Sequence, residues 1–579
     1  MKSLSLIIKL WNHIKSNQKK SFLLVFLLML LGAISEIITI SSVIPFLTVI
    51  LDPDKTQKNL SFFDFVKNYN SPNDLLIIVL LFFSLISIAA AIVRILLLWT
   101  LTKFSFSVGS EIANKIFEAS LRQDYIKHMT INSSETINSI YVNSDILIFQ
   151  IINPILNIIN GLIMFLFIFS ALFYFNPSIA ISIFLFFGII YLFIAKFAYL
   201  KLTFNSSYIS SSSTKVIRVL QESLGGIKDI KINGTYDMYF KIFKEADLNL
   251  RKAQQINQFI SASPRFIIES FGLIMISVLA YFLINNSEPL NIIPTLGVIA
   301  LGAQRLLPIA QSFYSGWSSI RGYQTSLIEI LNYLELPKNY SDNNFDSNNL
   351  ITFTKKIELK NIYFKYNDRK DWLFKNLNLT IKKGSIIGII GKTGSGKSSL
   401  LSILMTLIAP KKGGLYIDGI KISHKNFKSW RNQIAYVPQS IFLTDSSINE
   451  NIAFGIPLNK INTDKVKDVA KIAQISSAIE KLKYKYKSIV GERGVRLSGG
   501  QIQRIGIARA LYRGARIIIF DEATSALDLE TENKIMQTIS GLKGNYTIIL
   551  IAHRPSTLTS CDSVYRVDDG TLSRIQVYG

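Results

Sequence analysis

Apolar and polar positions follow two different patterns along this chain. Over residues 22–50, 75–101, 146–175, 178–200, 264–284 and 292–312, apolar side chains continue with almost no charge. Each run matches the roughly 20 residues that a helix needs to cross a hydrocarbon layer. Six crossings are therefore expected. The connections 102–145 and 201–262 hold few Gly or Pro, and their apolar positions recur at helical spacing, as in "EIANKIFEASLRQDYI". They read as helices as well. The segment "PKNYSDNNFDSNN" then supplies Pro, Ser, Asn and Asp without apolar periodicity, which predicts a linker. Beyond it, short runs such as "SIIGII" and "RIIIFD" alternate with helical stretches, the pattern of an α/β domain. The expected organisation is a transmembrane domain over 1–336, a linker over 337–350 and an α/β domain over 351–579.

Charge changes the picture only through where it lies. With 63 basic against 39 acidic residues the formal charge is +24, which suits nucleic acid, anionic lipid or the inner loops of a membrane protein. The positive residues gather in alternate connections: Lys103, Lys115, Arg122 and Lys127 in one, and Lys201, Lys215, Arg218, Lys228, Lys231, Lys241, Lys244, Arg251 and Lys252 in another. The loop 285–291 has none, and 52–74 balances lysine with aspartate. By the positive-inside bias both termini face the cytoplasm. A soluble protein acting on nucleic acid would explain the charge but not six spans, so no nucleic-acid partner is expected. Lys15, Lys19 and Lys20 precede the first apolar run as in a signal peptide. The run continues past signal-peptide length without a small-residue cleavage site, and is expected to be a permanent anchor. One cysteine, Cys561, excludes an internal disulfide and a multi-cysteine metal site. The outer segment "SFFDFVKNY", 61–69, reads either as a short amphipathic helix on the membrane or as a loop with aromatic interface anchors.

The chemistry is concentrated in the last third. "GKTGSGKSS" follows the strand-like "GSIIGII" and comprises Gly391, Lys392, Thr393, Gly394, Ser395, Gly396, Lys397, Ser398 and Ser399. It satisfies the phosphate-loop pattern. Its glycines let backbone amides turn onto phosphate, Lys397 offsets phosphate charge, and Ser398 can ligate Mg²⁺. "RIIIFDEATSALD" sets Asp521 and Glu522 at the end of an apolar strand, where an α/β sheet binds ligands. Asp521 can hold Mg²⁺ through water, and Glu522 can polarise an attacking water. "LSGGQIQRIGIARAL" places Ser498, Gly499 and Gly500 before a helix, a second anion-facing start in a domain whose phosphate loop already serves one nucleotide. It points to a nucleotide held by another copy.

On these motifs residues 355–579 resemble the nucleotide-binding domain of ABC transporters. The resemblance implies that Tyr366 in "IYFKY" stacks on adenine and that Gln439 in "IAYVPQS" senses γ-phosphate and Mg²⁺. It implies that Ser498, Gly499, Gly500 and Gln501 cap the partner's ATP, that Asp528 crosses the dimer interface, and that His553 in "IAHRPST" positions γ-phosphate and water. ATP and Mg²⁺ would be the cofactors, the metal held through Ser398, Gln439 and Asp521. Pro555 after "HR" and Thr444 in "IFLTDSS" depart from the usual pattern without removing a chemical group. Two competent ATP sites in a homodimer follow. The order of the domains resembles the exporter-type half-transporters, a six-helix all-α membrane domain followed by a P-loop ATPase domain. In that family short coupling helices rest on the ATPase domains, and 124–133 and 225–234 are the candidates.

Three arginines lie in the apolar runs: Arg94 late in the second, Arg265 at the start of the fifth and Arg305 past the middle of the sixth. A charge at a helix centre costs about 3 kcal/mol on insertion scales, so it faces a cavity or a partner. Glu36 can pair with Arg94 or Arg305, Arg265 stands four residues before Glu269, and Arg94 and Arg265 can also snorkel to inner headgroups among the membrane lipids. Otherwise the three form a basic cavity for an anionic lipid headgroup, since guanidinium forks match phosphate oxygens. "SASPRFIIESFGL", "LGAQRLLPIAQSFYSGWSSIRGYQTSL" and "SFFDFVKNY" resemble the PglK-type lipid-linked oligosaccharide flippases. That resemblance implies ATP-driven flipping of a polyprenyl-pyrophosphate glycan, an anionic lipid-linked substrate, across a bacterial inner membrane by alternating access. An exporter of another lipid, a peptide or a drug stays open, as does an ATP-gated channel or regulatory protein. Intact Glu522, His553 and signature residues argue against a degenerate regulator.

Overall fold

Each apolar run folds into a helix, and several helices continue well beyond it. The computed structural model describes residues 2–51, 72–175, 177–286, 289–336, 351–366, 371–522, 529–541, 543–552 and 558–575. The expected linker and the segment 61–69 lie outside the described residues. The long helices are Ser16–Leu51, Pro72–Leu121, Asn153–Phe175, Pro177–Gly225, Pro264–Asn286 and Pro289–Gly322. Asn153–Phe175 is preceded without a break by Ser133–Ile137, Asn143–Ile146 and two π-helical stretches, Asn138–Val142 and Leu147–Ile152. Pro72, Pro177, Pro264 and Pro289 each open a helix, where a missing amide hydrogen costs no hydrogen bond. Among the described residues, 16–39, 77–121, 133–170 and 184–225 are long and apolar enough to cross a membrane.

Two of these helices, 50 and 49 residues long, greatly exceed the apolar runs at 75–101 and 178–200. At 1.5 Å per residue each is about 75 Å long, against a hydrocarbon layer of about 30 Å. The second helix continues because Leu101, Phe104, Val108, Ile112 and Ile116 repeat at helical spacing and are buried in the helical core, while the exposed side mixes Lys103, Ser110 and Asn114 with Phe106 and Phe117. Nearer the N-terminal end of the same helix Leu85, Ile92 and Leu98 point outward, an apolar exterior that suits lipid. Polar ties join the helices in the extended part. Glu329 accepts from Asn143 Nδ2 at 2.8 Å and from the Ser210 hydroxyl. Asn205 donates to Asn257 Oδ1 at 2.9 Å. The short helix Lys2–His13, unmarked by the apolar runs, packs Leu10 into the same core.

The chain divides into two compact units, 1–123 with 130–338 and 124–129 with 339–579. The second contains two sheets. One, in order β2-β1-β4-β5, is antiparallel; the other runs β10-β9-β3-β8-β7-β6. The strands are β1 Lys356–Phe364, β2 Phe374–Lys382, β3 Ile386–Ile390, β4 Lys412–Ile417, β5 Ile420–Lys421, β6 Ile434–Val437, β7 Ile517–Asp521, β8 Thr547–Ile551, β9 Ser563–Asp568 and β10 Thr571–Ile575. From β9 to β6 the second sheet is parallel. Its strands are near-continuous Ile and Leu because both faces are covered. In β7, Ile517 and Ile519 join one core cluster and Ile518 and Phe520 the other; β8 divides its Ile549 and Ile551 from Ile548 and Leu550 in the same way. The short helices Tyr125–Thr130 and Ile227–Asn233 form inside the two windows expected for coupling helices. Residues 124–129 belong to the α/β unit, and Ile126 packs against its core.

Candidate functional site

Because β3, β6, β7 and β8 are parallel, their C-terminal ends share one edge of the sheet. The loop Gly391–Gly396 leaves β3 there and enters the helix Lys397–Leu404. A Cβ at Gly391 would lie 2.6 Å from both Ser395 Oγ and the Val567 carbonyl, so only glycine permits that approach. Gly396 stands at the helix start with φ +103°, a conformation that L side chains avoid. The Lys397 side chain is buried, and its ammonium donates to the Gly391 and Lys392 carbonyls at 2.6 and 3.1 Å. Ser395 Oγ is buried with no hydrogen-bond partner. A buried orphan hydroxyl and an ammonium held only by its own loop fit a cradle shaped for an external anion. The Tyr366 hydroxyl lies 2.9 Å from Ser399 Oγ on the same helix, with the Tyr366 ring edge-on to Phe364.

The carboxylates stand two strands away at the end of β7. Tyr436 on β6 donates its hydroxyl to Asp521 Oδ2 at 3.0 Å, and Gln439, just beyond β6, donates Nε2 to Glu522 Oε2 at 2.7 Å. Neighbouring donors from one strand thus hold neighbouring acids on the next. Burial raises the Asp521 carboxyl above its ordinary range, and the Glu522 charge adds to the rise; the Tyr436 hydrogen bond and nearby Lys397 oppose it. Burial, followed by the Asp521 charge, pushes the Tyr436 phenol up, so it stays a protonated donor at physiological pH. Glu522 has φ +51°, a left-handed conformation uncommon outside glycine and typical of residues constrained by function, while its amide donates to the Ile551 carbonyl at 3.1 Å. Ser398, Gln439 and Asp521, the groups expected to hold Mg²⁺, offer a hydroxyl, an amide oxygen and a carboxylate, oxygen donors that suit a hard cation. No cluster of three or more His, Cys, Asp or Glu exists among the described residues, so any metal there relies on this sparse set and the substrate phosphates.

Ser498 caps the helix Gly499–Arg513: its hydroxyl accepts from the Gln501 amide at 3.3 Å, and Gln501 Oε1 accepts from the Ser498 amide at 2.9 Å. Ser498 and Gly499 are exposed. His553 and Asp528 lie outside the described residues. Tyr436 was not among the residues expected from sequence, although it stands three positions before Gln439. Arg509 was also missed. It is half-buried, lies over the Phe454 ring and donates to the Asn451 and Phe442 carbonyls at 2.8 and 2.9 Å, tying the helix Gly499–Arg513 to the segment after Gln439.

The membrane arginines differ from one another. Arg94 lies 3.4 Å from the buried Glu36 and donates to the Ala90 carbonyl. Arg265 Nε pairs with Glu269 Oε1 at 2.6 Å, and both line a polar cavity with Gln311. Arg305 belongs to the helix Pro289–Gly322, and its side chain lies outside the described residues.

Residues 374–525 match the family described as "ABC transporter", and 21–292 match "ABC transporter transmembrane region". The alpha-hemolysin translocation ATP-binding protein HlyB of Escherichia coli O157:H7 is 44% identical over 217 residues, 38% of this chain and 30% of the relative. The leukotoxin export ATP-binding protein LtxB of Aggregatibacter actinomycetemcomitans is 38% identical over 259 residues, 44% of this chain and 36% of the relative. The chain thus spans about a third of the length of the curated relatives it matches. A bacterial Atm1-family ABC exporter solved with ATP bound shares the fold with a TM-score of 0.80 over 96% of each chain, at 20% identity. With a transmembrane region and an ATPase region matched in that order, and with the fold of an exporter over almost its whole length, the chain belongs to the ABC transporters whose membrane and ATPase domains are fused.

Proposed function

We propose that this chain, as a homodimer in a bacterial inner membrane with both termini and the ATPase domain in the cytoplasm, uses ATP to flip a lipid-linked oligosaccharide by alternating access. The membrane domain is 1–336 and the ATPase domain 351–579, joined by 337–350. The observation that carries the ATP-driven part is the shared sheet edge, where the phosphate loop after β3 and the held carboxylates after β7 converge. In this reading the Gly391–Ser399 loop binds the phosphates, Lys397 exchanges its loop carbonyls for β- and γ-oxygens, and Tyr366 meets the base. Ser498, Gly499, Gly500 and Gln501 face the nucleotide of the partner subunit, and Asp528 crosses between subunits. Mg²⁺, held by Ser398, Gln439 and Asp521, would supply charge to the phosphates. Gln439 releases Glu522 on binding nucleotide, so that Glu522 accepts the proton of the attacking water while His553 orients it. Hydrolysis should fall at least 100-fold in Glu522→Gln, whereas Lys397→Ala should weaken nucleotide binding itself. A Glu522→Gln protein that hydrolyses ATP at the parental rate refutes the assignment.

The glycolipid substrate is supported by the resemblance of the fifth and sixth spans to flippases of that class and by Arg265 beside a polar cavity. Arg94 is the weaker candidate, because it pairs with Glu36 and does not line that cavity. Toxin export, after the hemolysin translocation and leukotoxin export named for HlyB and LtxB, is the second reading; the identity behind it extends over 38% and 44% of this chain. Flipping of a labelled lipid-linked glycan in reconstituted vesicles separates the two.

A further inference from the structure

The membrane unit holds two adjoining cavities. One, about 560 Å³, lies among Asn153–Phe175, Pro177–Gly225 and Pro289–Gly322, with walls that include Phe165, Phe184, Tyr191, Phe313, Tyr314 and Trp317. The Tyr191 ring is 5.6 Å from Tyr314, which is 5.8 Å from Trp317, so the rings brace one another. The other, about 320 Å³, is bounded by Arg265, Glu269, Gln311 and Ser315, and shares Tyr191 and Leu307 with the first. On Pro289–Gly322 the apolar chamber takes positions 306, 310, 313 and 317, and the polar cavity takes 308, 311, 312 and 315. These are adjacent faces of the same turns, so the cavities lie side by side. The chamber extends along Pro177–Gly225 from Phe184 to Ala195, about 16 Å at the helical rise.

Among the described residues, Tyr314 keeps a buried polar atom unpaired beside the chamber. Tyr314 is 4% exposed, and its hydroxyl is buried without a hydrogen bond. An alkyl chain in the chamber offers that phenol no hydrogen bond, so recognition of a head group falls to the polar side. The polar side is not a bare cationic patch. Arg265 is neutralised by Glu269, and Gln311 accepts from the Tyr191 hydroxyl at 3.3 Å and donates to the Ser261 carbonyl at 3.0 Å. Guanidinium and carboxylate side by side offer donors and acceptors together. A sugar hydroxyl uses both; a quaternary ammonium donates no hydrogen bond, and a simple carboxylate meets Glu269 as a like charge.

We propose that the paired cavities are one binding site for a glycosylated amphiphile, its chain in the aromatic chamber and its hydroxylated head between Arg265, Glu269 and Gln311. The inference deepens the glycolipid reading above and rests on it for the physiological substrate. The test uses the full chain in lipid nanodiscs and a dodecyl maltoside carrying a diazirine on its chain. A Cβ at Gly188 meets nothing within 4 Å, so Gly188→Phe fills the chamber without a backbone clash. Photolabelling should fall on the chamber helices and drop about tenfold in Gly188→Phe, since a filled chamber has no room for the chain. ATP binding should be unchanged in Gly188→Phe, which shows that the variant folds. Unlabelled dodecyl maltoside should compete, and dodecyltrimethylammonium should not. Labelling that survives Gly188→Phe, or equal competition by both heads, overturns the proposal. If Gly188→Phe flips lipid-linked glycan at the parental rate, the site falls and the transport reading stands. If the chamber is labelled and blocked as expected while the parent flips no such glycan, the site stands and the transport reading falls.

Discussion

Tyr436→Phe tests the metal-binding role proposed for Asp521 at the sheet edge. The substitution removes one hydroxyl, the donor 3.0 Å from Asp521 Oδ2, and leaves the ring in place. Hydrogen bonds to a charged group contribute about 1.5–3 kcal/mol, and groups that orient a metal ligand typically change metal affinity 10- to 100-fold. Tyr436 is 38% exposed, so water can partly replace the lost donor and the low end applies. About 1.4 kcal/mol, or tenfold, is therefore expected. The direction is also set by the acid itself. Burial already raises the Asp521 carboxyl and the Tyr436 hydrogen bond lowers it, so removal shifts Asp521 further towards the protonated form, which binds cations poorly. The half-saturating Mg²⁺ for ATP hydrolysis should rise about tenfold, as should the Mn²⁺ dissociation constant measured by electron paramagnetic resonance with ATP present. ATP binding in EDTA should not change. Equal metal affinity in parent and variant would falsify the role given to Tyr436, and a loss of metal-free ATP binding would show that the phenol supports the fold instead.

Two further outcomes follow from the α/β unit. Burial alone would raise the Asp418 carboxyl, but it accepts from the Thr354 amide and hydroxyl and from the Lys355 and Lys356 amides at 2.6–2.8 Å, and these hold it below the ordinary carboxylate range. A carboxyl depressed on folding stabilises above its unfolded pKa and loses that contribution as pH falls through the folded value. Asp418→Asn should therefore melt lower than the parent at neutral pH by scanning calorimetry, with the gap closing in acid; a gap that widens in acid refutes the assignment. Arg509→Met removes the donor to the Asn451 and Phe442 carbonyls, and should cost about 1–3 kcal/mol in urea denaturation of the ATPase transition, since the acceptor on buried Asn451 loses its partner. An unchanged midpoint would mean that water replaces the guanidinium there.

Local pattern was enough for much of this protein. The six apolar runs anticipated six long helices because hydrocarbon burial needs no specific neighbour, only length and apolarity. The phosphate loop was legible because its glycines answer local demands: a backbone approach at Gly391 and a positive φ at Gly396. Asp521 and Glu522 were legible as the polar end of a strand buried on both faces. The apolar runs alone stop short of the long helices; their continuation was legible instead from apolar positions at helical spacing in 102–145 and 201–262, buried in the first as a seam at Leu101, Phe104, Val108, Ile112 and Ile116. Hydropathy averages that seam with the polar residues beside it.

Sequence by itself thus determined the elements, their order and the residue types able to handle a nucleotide, because each depends on neighbours a few positions away. Tertiary structure alone decided which donor holds which acid. Tyr436 and Asp521 are 85 residues apart and meet only because β6 and β7 pair in parallel register. It likewise decided that Arg94 meets Glu36, that Arg265 shares a cavity with Gln311, and that the Tyr314 hydroxyl is left without a hydrogen bond among the described residues. Hydrogen bonds and cavities act over a few ångströms, and no local rule of sequence states which distant side chains will come that close.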